Sequence, residues 1–400
     1  MRVKRSIVPY RAGTLQPRGI SVEISLWNRG EERADDNGSS GEGGKDWRID
    51  IYRKLECIGG KTKRFIQAWK QIGKGEFLNT GFYLRFKDQN SQQRLEENKM
   101  IIPFRGTQEE MKAYQEMLKE ELEEGIVIPI QQDQVKWWNH TFLIKKPNGT
   151  WRKILDASKL NKEIEKLHFK MHGLEDVQYL ANQMDYATSL DLKSAFHHIT
   201  VSPNSISYLA FNFNSNNYTY KAMSFGTKHS PIFFAETIKS IIRQIRIHSE
   251  IKILNDCKDI LLIHQNKQIF KIQTIGIMRT LEQFGWTISA EKCEIELKQI
   301  ITFLGWIWNQ QEMNIRMSEE RQLKMIHALK DWCNAIYKNK GVKIGQVATL
   351  IGRLNFLRPR IKEASLYLME LDKANTQALK TKTWDEIMIV NRTLNKELKW

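Results

Sequence analysis

The chain has 400 residues, and its 62 lysine and arginine residues against 46 aspartate and glutamate residues give a formal net charge of +16. The length corresponds to about two to four packing units. Because 41% of the residues are hydrophobic, the chain can build real cores, which excludes a disordered or collagen-like protein. The basic excess favours a polyanionic partner, with nucleic acid first, because Lys and Arg that neutralise phosphates release counterions. A merely lysine-rich chain is the alternative.

The cysteines and the apolar runs indicate the compartment. The four cysteines are far apart and form no C-x-x-C pair, which argues against a disulfide framework or a cysteine-rich zinc site and favours a reducing environment. No run of about 18 uncharged apolar residues occurs, and no signal-peptide core follows the N-terminus. We therefore expect an intracellular protein of the cytoplasm or nucleus with no membrane partner.

The first third of the chain contains three segments of different composition. Residues 1–46 predict a basic, disordered tail and linker, because 29–46 combine Gly, Ser and charge with no apolar residue larger than alanine. Residues 47–106 carry scattered aromatics between glycine-rich turns and predict a small irregular unit. A capping box, Thr-Gln-Glu-Glu at 107–110, then predicts the start of a helix that closes at Gly125.

Hydrophobic periodicity predicts the elements that follow. Strands are expected at 126–130, 141–144, 151–155, 187–191, 207–213, 218–223, 251–254 and 260–263, and Pro-Asn-Gly at 147–149 makes a hairpin of the second and third. Helices are expected at 173–184, 193–197, 230–247 and 267–284. After about residue 315 the predicted strands stop. Helices at 318–336, 344–354 and 361–373 then indicate a helical unit attached to an α+β core.

Four segments carry side chains suited to phosphoryl transfer. The basic hairpin from Lys145 to Arg152 can close over a triphosphate. Asp191 ends a predicted strand, and the segment 223–234 is a glycine-containing turn followed by a helix. The sequence Asp-Cys-Lys-Asp at 256–259 joins two strands, so carboxylates from separate strands converge, as two-metal phosphoryl transfer requires. Taken singly, the first three segments also fit a solvated hairpin, a helix cap and a simple turn.

The order and spacing of the four segments resemble reverse transcriptases, the RNA-directed DNA polymerases of retroelements, over about 126–308. Phe284-Gly285 with Lys292, and the segment 303–306, extend the likeness. The segments 226–231, 264–266 and 350–357 are most similar to the DIRS-like tyrosine-recombinase branch.

This resemblance implies an α+β right-hand polymerase with an antiparallel palm sheet. The fingers are then expected at 107–185, the palm at 186–310 and a helical thumb or connection at 311–375. A retroelement-specific N-terminal region at 47–106 precedes these parts, and a C-terminal segment at 376–400 follows them. The last residues offer no carboxylate set of a ribonuclease H, so template removal is expected from a ribonuclease H, or a recombinase, encoded by another region of the element.

The resemblance also implies roles for individual residues. Two Mg²⁺ ions, with Mn²⁺ as an alternative, are expected at Asp191, the Leu192 carbonyl and Asp259. The proton donor for pyrophosphate departure is expected to be Lys292, and Phe196 is expected to be the aromatic gate that rejects a 2′-hydroxyl. The implied partners are an RNA or DNA template-primer and deoxynucleoside triphosphates. The implied nucleotide-binding residues are Lys145, Lys146, Arg152, Ala195, Phe196, Phe225 and Gly226, and the implied primer grip is Phe303, Leu304, Gly305 and Trp306.

The sequence departs from the family where the family carries Tyr-x-Asp-Asp. Here Asp256 replaces Tyr, and Lys258 replaces the first Asp, a metal ligand. This exchange changes the local charge by two units, and the ammonium can itself occupy an ion site. Asp256 is two residues away, but strand alternation need not hold at a hairpin tip, so compensation is not expected. We therefore expect a reverse transcriptase-like protein with impaired DNA synthesis; the alternative is a catalytically dead, polymerase-derived nucleic-acid-binding protein.

Overall fold

The computed structural model of the chain describes residues 57–146, 148–169, 172–337, 341–358, 360 and 364–388. The tail expected at 1–46, Pro147 of the predicted hairpin turn and residues 389–400 of the segment expected at 376–400 therefore lie outside the described residues. The helices are α1 Lys61–Arg64, α2 Ile66–Gln71, α3 Gly75–Thr80, α4 Asn90–Glu97, α5 Gln108–Glu123, α6 Ser158–Glu163, α7 Leu174–Leu180, α8 Pro203–Ile206, α9 Ser230–His248, α10 Lys267–Gln283, α11 Glu319–Tyr337, α12 Ile344–Asn355 and α13 Ala364–Ala378. None of these helices combines the length and the apolar character that crossing a membrane requires.

Within the described residues, the strands form five small antiparallel sheets. They are β1 Val127–Pro129, β2 His140–Lys145, β3 Trp151–Asp156, β4 Tyr186–Asp191, β5 Ala210–Phe213, β6 Asn216–Tyr220, β7 Lys252–Asp256, β8 Asp259–His264, β9 Glu294–Lys298, β10 Ile300–Phe303, β11 Trp306–Asn309, β12 Asn314–Met317, β13 Val342–Lys343 and β14 Ile387–Met388. The mixture of helices and antiparallel strands confirms the α+β prediction.

The central sheet has the strand order β7-β8-β4-β9 and is covered on both faces. Alternate residues of β8 enter different cores, because successive side chains of a strand point to opposite faces. Ile260 and Leu262 pack with α9 and α10, whereas Leu261 and Ile263 pack with α7 and the β10–β11 hairpin. Double coverage explains the unbroken apolar run at 260–263, which anchors the acidic end of the strand.

The region before this sheet is built as the local signals predict. Thr107 and Glu110 close a capping box at the start of α5, and Gly125 takes φ 64° just beyond its end. Strands β2 and β3 form the predicted hairpin. Strand β1 joins β5 and β6 in a second sheet.

The region expected at 47–106 is described from residue 57 onwards, and its aromatic residues join the main core. Trp69, Leu78 and Phe82 lie in the same hydrophobic core as β4, β8 and α9. The Trp69 indole donates a hydrogen bond to the Phe284 carbonyl (3.1 Å) and packs edge-on against the Phe284 ring. Scattered aromatics between turns are therefore the inner face of a layer that covers the central sheet.

Two helices differ from the prediction, one in where it ends and the other in its type. The helix expected at 173–184 ends at Leu180, because the Asp185 carboxylate accepts hydrogen bonds from the Asn182 amide and the Lys252 ammonium (both 2.8 Å) and holds a turn. The helix expected at 193–197 is a 3₁₀ helix at Ala195–His198. Its preceding residue, Ser194, has φ 46°, which interrupts a regular α-helix at that point.

Elsewhere, the observed ends of strands and helices differ from the predicted ends. The strand expected at 207–213 begins at Ala210, since backbone hydrogen bonds from 208 and 209 to 205 and 206 turn the chain first. The C-terminal unit keeps its three expected helices, although 361–363 lie outside the described residues. It also contains the short antiparallel pair β13–β14, which the prediction of a purely helical unit missed.

Candidate active site at the end of the central sheet

Three aspartates stand in one row across the end of the central sheet. Asp191, the last residue of β4, lies directly opposite Asp259, the first residue of β8. Asp259 also lies opposite Asp256, the last residue of β7. Directly opposed residues of antiparallel strands point to the same face, so all three carboxylates face the same side.

Strand alternation therefore holds up to the hairpin tip. The tip consists only of Cys257 and Lys258, and Cys257 takes φ 49° to make the turn. Asp256 is still two strand spacings, roughly 10 Å, from Asp191. Burial raises the pKa of Asp256, and the nearby Asp259 raises it further. Asp256 Oδ1 is buried with no hydrogen-bond partner among the described residues.

The side chain of Lys258 lies between the carboxylates of Asp191 and Asp259. Its ammonium donates hydrogen bonds to Asp191 Oδ2 and to Asp259 Oδ1, the second at 3.3 Å. Burial disfavours the charged ammonium, but these bonds and the two negative charges outweigh burial and raise the pKa of Lys258. Burial also raises the pKa of Asp259, and the charge of Lys258 opposes that rise. Lys258 is therefore a resident cation of the cluster.

The residues present do not fit the metal ions that the resemblance implies. Mg²⁺ requires near-octahedral oxygen ligands at about 2.0–2.1 Å, whereas an ammonium already engages the carboxylates of Asp191 and Asp259. Within the described part of the chain, no three His, Cys, Asp or Glu side chains are grouped to hold a metal ion. The backbone of Leu192, the third expected ligand, donates to the Lys258 carbonyl (3.2 Å).

Lys292 lies near this cluster but does not contact it in the described residues. It ends the 3₁₀ helix Ala290–Lys292 and is exposed. The next residue, Cys293, approaches Asp191 directly: its sulfur accepts a hydrogen bond from the Asp191 amide (3.3 Å). The expected proton donor is thus carried by the segment that supports Asp191, and its side chain is exposed.

A cavity of about 700 Å³ lies beside the basic hairpin. Among the residues expected to bind a nucleotide, Lys146 and Arg152 line this cavity together with Lys193 and Ser194. Lys145 does not line it, because its ammonium pairs with Glu109 (3.4 Å) and lies over the Trp151 ring (5.1 Å). The structure therefore groups one lysine of the pair, Lys146, with Arg152.

Phe196 and Phe225 form an aromatic platform at the same end of the sheet. Their rings stack at 4.4 Å with an interplanar angle of 21°. Phe196 and the neighbouring Ala195 are buried, whereas Phe225 is 49% exposed. Gly226 follows with φ +106°, and a methyl group there would collide with the Leu155 carbonyl. Only glycine fits this approach between the 223–226 turn and the basic hairpin.

Sequence reasoning missed the floor of the cavity. Lys153 and Glu121 form a buried ion pair there, and His197 lines the wall. Two signals were available: Arg152 and Lys153 must point to opposite faces of β3, and Glu121 follows Tyr114 and Leu118 at helical spacing on the buried face of α5.

The residues expected to form a primer grip make the turn of the β10–β11 hairpin. Phe303 and Trp306 are buried in the core that covers β4 and β8. Leu304 and Gly305 take φ 53° and 76° and form the turn itself. The turn thus lies on the same side of the central sheet as the aspartate row.

The architecture is that of a right-hand polymerase. Residues 144–308 match the family model described as "Reverse transcriptase (RNA-dependent DNA polymerase)". The chain is similar to a Gag-Pol polyprotein of woolly monkey sarcoma virus, with 26% identity over 196 residues, covering 46% of this chain and 11% of the relative. The chain thus carries a region that resembles an RNA-directed DNA polymerase, and such enzymes generally use divalent metal ions.

Two solved structures share the fold. One is a foamy viral protease-reverse transcriptase in complex with an RNA/DNA hybrid, with a TM-score of 0.53 and 17% identity, covering 87% of this chain and 45% of that chain. The other is the related foamy viral protein in complex with double-stranded DNA, with a TM-score of 0.53 and 18% identity, covering 88% and 59% of the two chains. This chain therefore spans about half the length of these structural relatives.

Proposed function

We propose that this chain binds an RNA or DNA template-primer in the manner of a reverse transcriptase, and that Lys258 suppresses nucleotidyl transfer. One observation carries the proposal: in a polymerase fold, an ammonium is hydrogen-bonded to both Asp191 and Asp259. The polymerase scaffold is kept, and the ammonium of Lys258 occupies the position that a bound cation would take.

The positive charge of Lys258 explains why nucleotidyl transfer would be suppressed. A divalent ion about 4 Å from the Lys258 ammonium is repelled by roughly 8 kcal/mol at an effective dielectric constant near 20. The two carboxylates would have to release the ammonium before they bound an ion. Without that release, Asp191 and Asp259 cannot lower the barrier to attack by a primer 3′-hydroxyl, which is the role implied by the resemblance.

Binding of a template-primer does not require the metal-ligating aspartate that Lys258 replaces. The formal net charge of +16 favours a phosphate backbone at any sequence. Lys146, Arg152 and Lys193 line one cavity and can each meet a phosphate of a nucleotide or strand end, although four glutamates at 120–124 line the same cavity. The foamy viral relatives are described with an RNA/DNA hybrid and with double-stranded DNA, which supports a duplex as the ligand.

The test combines binding and extension. Fluorescence anisotropy at several salt concentrations would compare a DNA primer recessed on an RNA template with a blunt duplex of equal length. Extension with Mg²⁺ and deoxynucleoside triphosphates would compare the native chain, Lys258→Asp, and Lys258→Asp combined with Asp191→Ala. We expect the native chain to bind the recessed primer without extending it, Lys258→Asp to extend it, and the double variant to be silent.

Two results would contradict the proposal. Native extension that a further variant, Asp191→Ala alone, abolishes would show that the ammonium does not block synthesis. Equal affinity for recessed and blunt duplexes would show that the basic surface is not a template-primer site.

Residual synthesis by the native chain is the second candidate function, favoured by the position of Asp256 on the same face as Asp191 and Asp259. An Asp256→Asn variant separates the two candidates. Slow native extension that this variant abolishes would assign the role of the missing ligand to Asp256.

We also propose that the chain derives from the DIRS-like branch, which the segments 226–231, 264–266 and 350–357 support. Ribonuclease H and recombinase activities would then come from other regions of the element, and the protein would act in the cytoplasm or nucleus. A tyrosine-recombinase reading frame beside the coding sequence would test the branch assignment.

A further inference from the structure

Three side chains form a stack between the C-terminal helices and the β10–β11 turn. The rings of Trp306, on β11, and Phe356, just after α12, are parallel at a centroid distance of 4.6 Å and an angle of 10°. The guanidinium carbon of Arg321, on α11, lies 4.1 Å from the centroid of the Phe356 ring. One residue from each of three elements therefore contributes to the stack.

The guanidinium also contacts the turn itself. A methyl group placed on Gly305 would collide with Arg321 Nη1, so the turn backbone lies directly against the guanidinium. The positive φ of 76° favours glycine at that position, and the guanidinium packs against its backbone. Arg321 thus touches the turn on one side and Phe356 on the other.

The hairpin transmits this contact to the central sheet. Phe303 and Trp306 pack in one core with Leu254 and Leu261, which belong to β7 and β8. These two strands carry Asp256 and Asp259 at their ends. A shift of the 303–306 turn therefore changes its distance from the aspartate row.

We propose that Arg321 is a positioning residue that fixes the 303–306 turn through Phe356 and Gly305, and so fixes the seat of the primer 3′ end. This inference rests on the proposed template-primer function and on the primer-grip role that the resemblance implies for 303–306. It assigns specificity for a recessed 3′ end to a planar stack, while general affinity for a duplex depends on the overall positive charge.

A purely electrostatic role is the competing explanation. Arg321, Lys324 and Arg353 line a cavity of about 350 Å³ between α11 and α12, where any of them can meet a phosphate. Lys324 provides a matched control, because it lies one turn further along α11 and pairs with Glu320. The contacts described for it include neither Phe356 nor Gly305.

The experiment measures the affinity of the full chain for a recessed primer and for a blunt duplex of equal length. The variants are Arg321→Ala, Arg321→Lys, Phe356→Leu and Lys324→Ala, each checked by circular dichroism and thermal melting. A 2-aminopurine at the primer 3′ end reports how that nucleotide is held. This fluorescence would not respond to a general loss of stability in a chain that remains folded.

We expect Arg321→Ala and Phe356→Leu to lower the preference for the recessed primer by about five- to tenfold, the size expected for one lost cation–π contact. Both should change the 2-aminopurine signal. Arg321→Lys should fail to rescue, because an ammonium keeps the charge without the planar stack. Lys324→Ala should lower both affinities equally and leave the preference unchanged.

Several outcomes would overturn the positioning role: full rescue by Arg321→Lys, an equal loss of preference in Lys324→Ala, or an unchanged preference in Arg321→Ala. A native chain with a clear preference, combined with any of these, leaves the proposed function standing and removes only this inference. A native chain with no preference removes both.

Discussion

Glu121 and Lys153 pair inside the protein rather than on its surface. The Lys153 side chain is 3% exposed and that of Glu121 is 17% exposed. The ammonium also lies over the rings of Tyr114, Phe211 and Tyr220 at 4.4–5.3 Å from their centroids. An α5 residue is thereby joined to β3 of the basic hairpin at the floor of the cavity.

Glu121→Gln is expected to lower the free energy of unfolding by about 3–5 kcal/mol, because it leaves a buried ammonium without its counter-charge. Lys153→Met should cost less, since the remaining carboxyl can take up a proton and methionine packs well against aromatic rings. Urea unfolding at pH 7 measures both. The double variant should recover most of the loss, and a loss below 1 kcal/mol in Glu121→Gln would refute the pairing.

His197 makes the fold sensitive to acid. Burial lowers the pKa of His197 to about 4 and that of His198 to about 3, against about 6.5 in an unfolded chain. Between these values the unfolded state binds more protons, so stability is full above pH 6.5 and falls as the pH drops towards 4. His197 Nδ1 is also buried with no hydrogen-bond partner among the described residues.

We therefore expect His197→Phe to raise stability at pH 7 by about 1 kcal/mol, because it removes an unsatisfied polar atom. It should also reduce the stability lost between pH 7 and pH 4.5 by about 2–3 kcal/mol. Unfolding curves at both pH values test this, with the exposed His327→Gln as a control that should follow the native chain. An unchanged pH dependence in His197→Phe would count against a buried neutral imidazole.

Lys258→Met should leave Asp191 and Asp259 facing each other without a cation. Because the lysine side chain is 43% exposed, solvent screening limits the loss at pH 7 to about 1 kcal/mol. The pKa of Asp259 should rise once the opposing charge of Lys258 is removed. The folded state then binds a proton more readily, and the loss of stability shrinks as the pH falls to 5. Thermal melting at pH 7 should show stabilisation by 10 mM Mg²⁺ in the variant and not in the native chain; equal stabilisation would mean that the ammonium excludes no metal.

The platform of Phe196 and Phe225 predicts selectivity once synthesis is restored. In a Lys258→Asp background, Phe196→Val should weaken discrimination against ribonucleotides at least about tenfold, since removing the ring opens space for a 2′-hydroxyl. Single-nucleotide insertion with matched deoxy- and ribonucleotides measures the ratio. Incorporation of deoxynucleotides serves as the internal control, and an unaltered ratio would remove Phe196 from the gate.

Local signals predicted much of the fold. The capping box at Thr107 and the glycine at 125 determine both ends of α5, because the atoms that terminate a helix lie within a few residues of its end. The apolar run at 260–263 and the turn before it define the hairpin that carries Asp259. Such features need no knowledge of distant segments.

Features set by distant contacts were missed. The early end of α7 depends on the ammonium of Lys252, which lies 67 residues from Asp185. The buried pair of Lys153 and Glu121 depends on which face of β3 meets α5. At the site, the sequence identified Lys258 as a cation able to fill an ion position, but only the strand register shows that Asp191 and Asp259 both reach it.

The layer formed by residues 57–106 determines where a fragment able to fold alone must begin. The motifs that resemble a polymerase begin near residue 126, yet Trp69 is fully buried and bonded to Phe284, and Phe82 pairs with Val201. A fragment cut at the first motif would expose the apolar surface of α9 and α10 that this layer covers. The smallest piece able to fold alone therefore begins well before the first polymerase motif, and a library of truncations would find its soluble boundary ahead of Trp69.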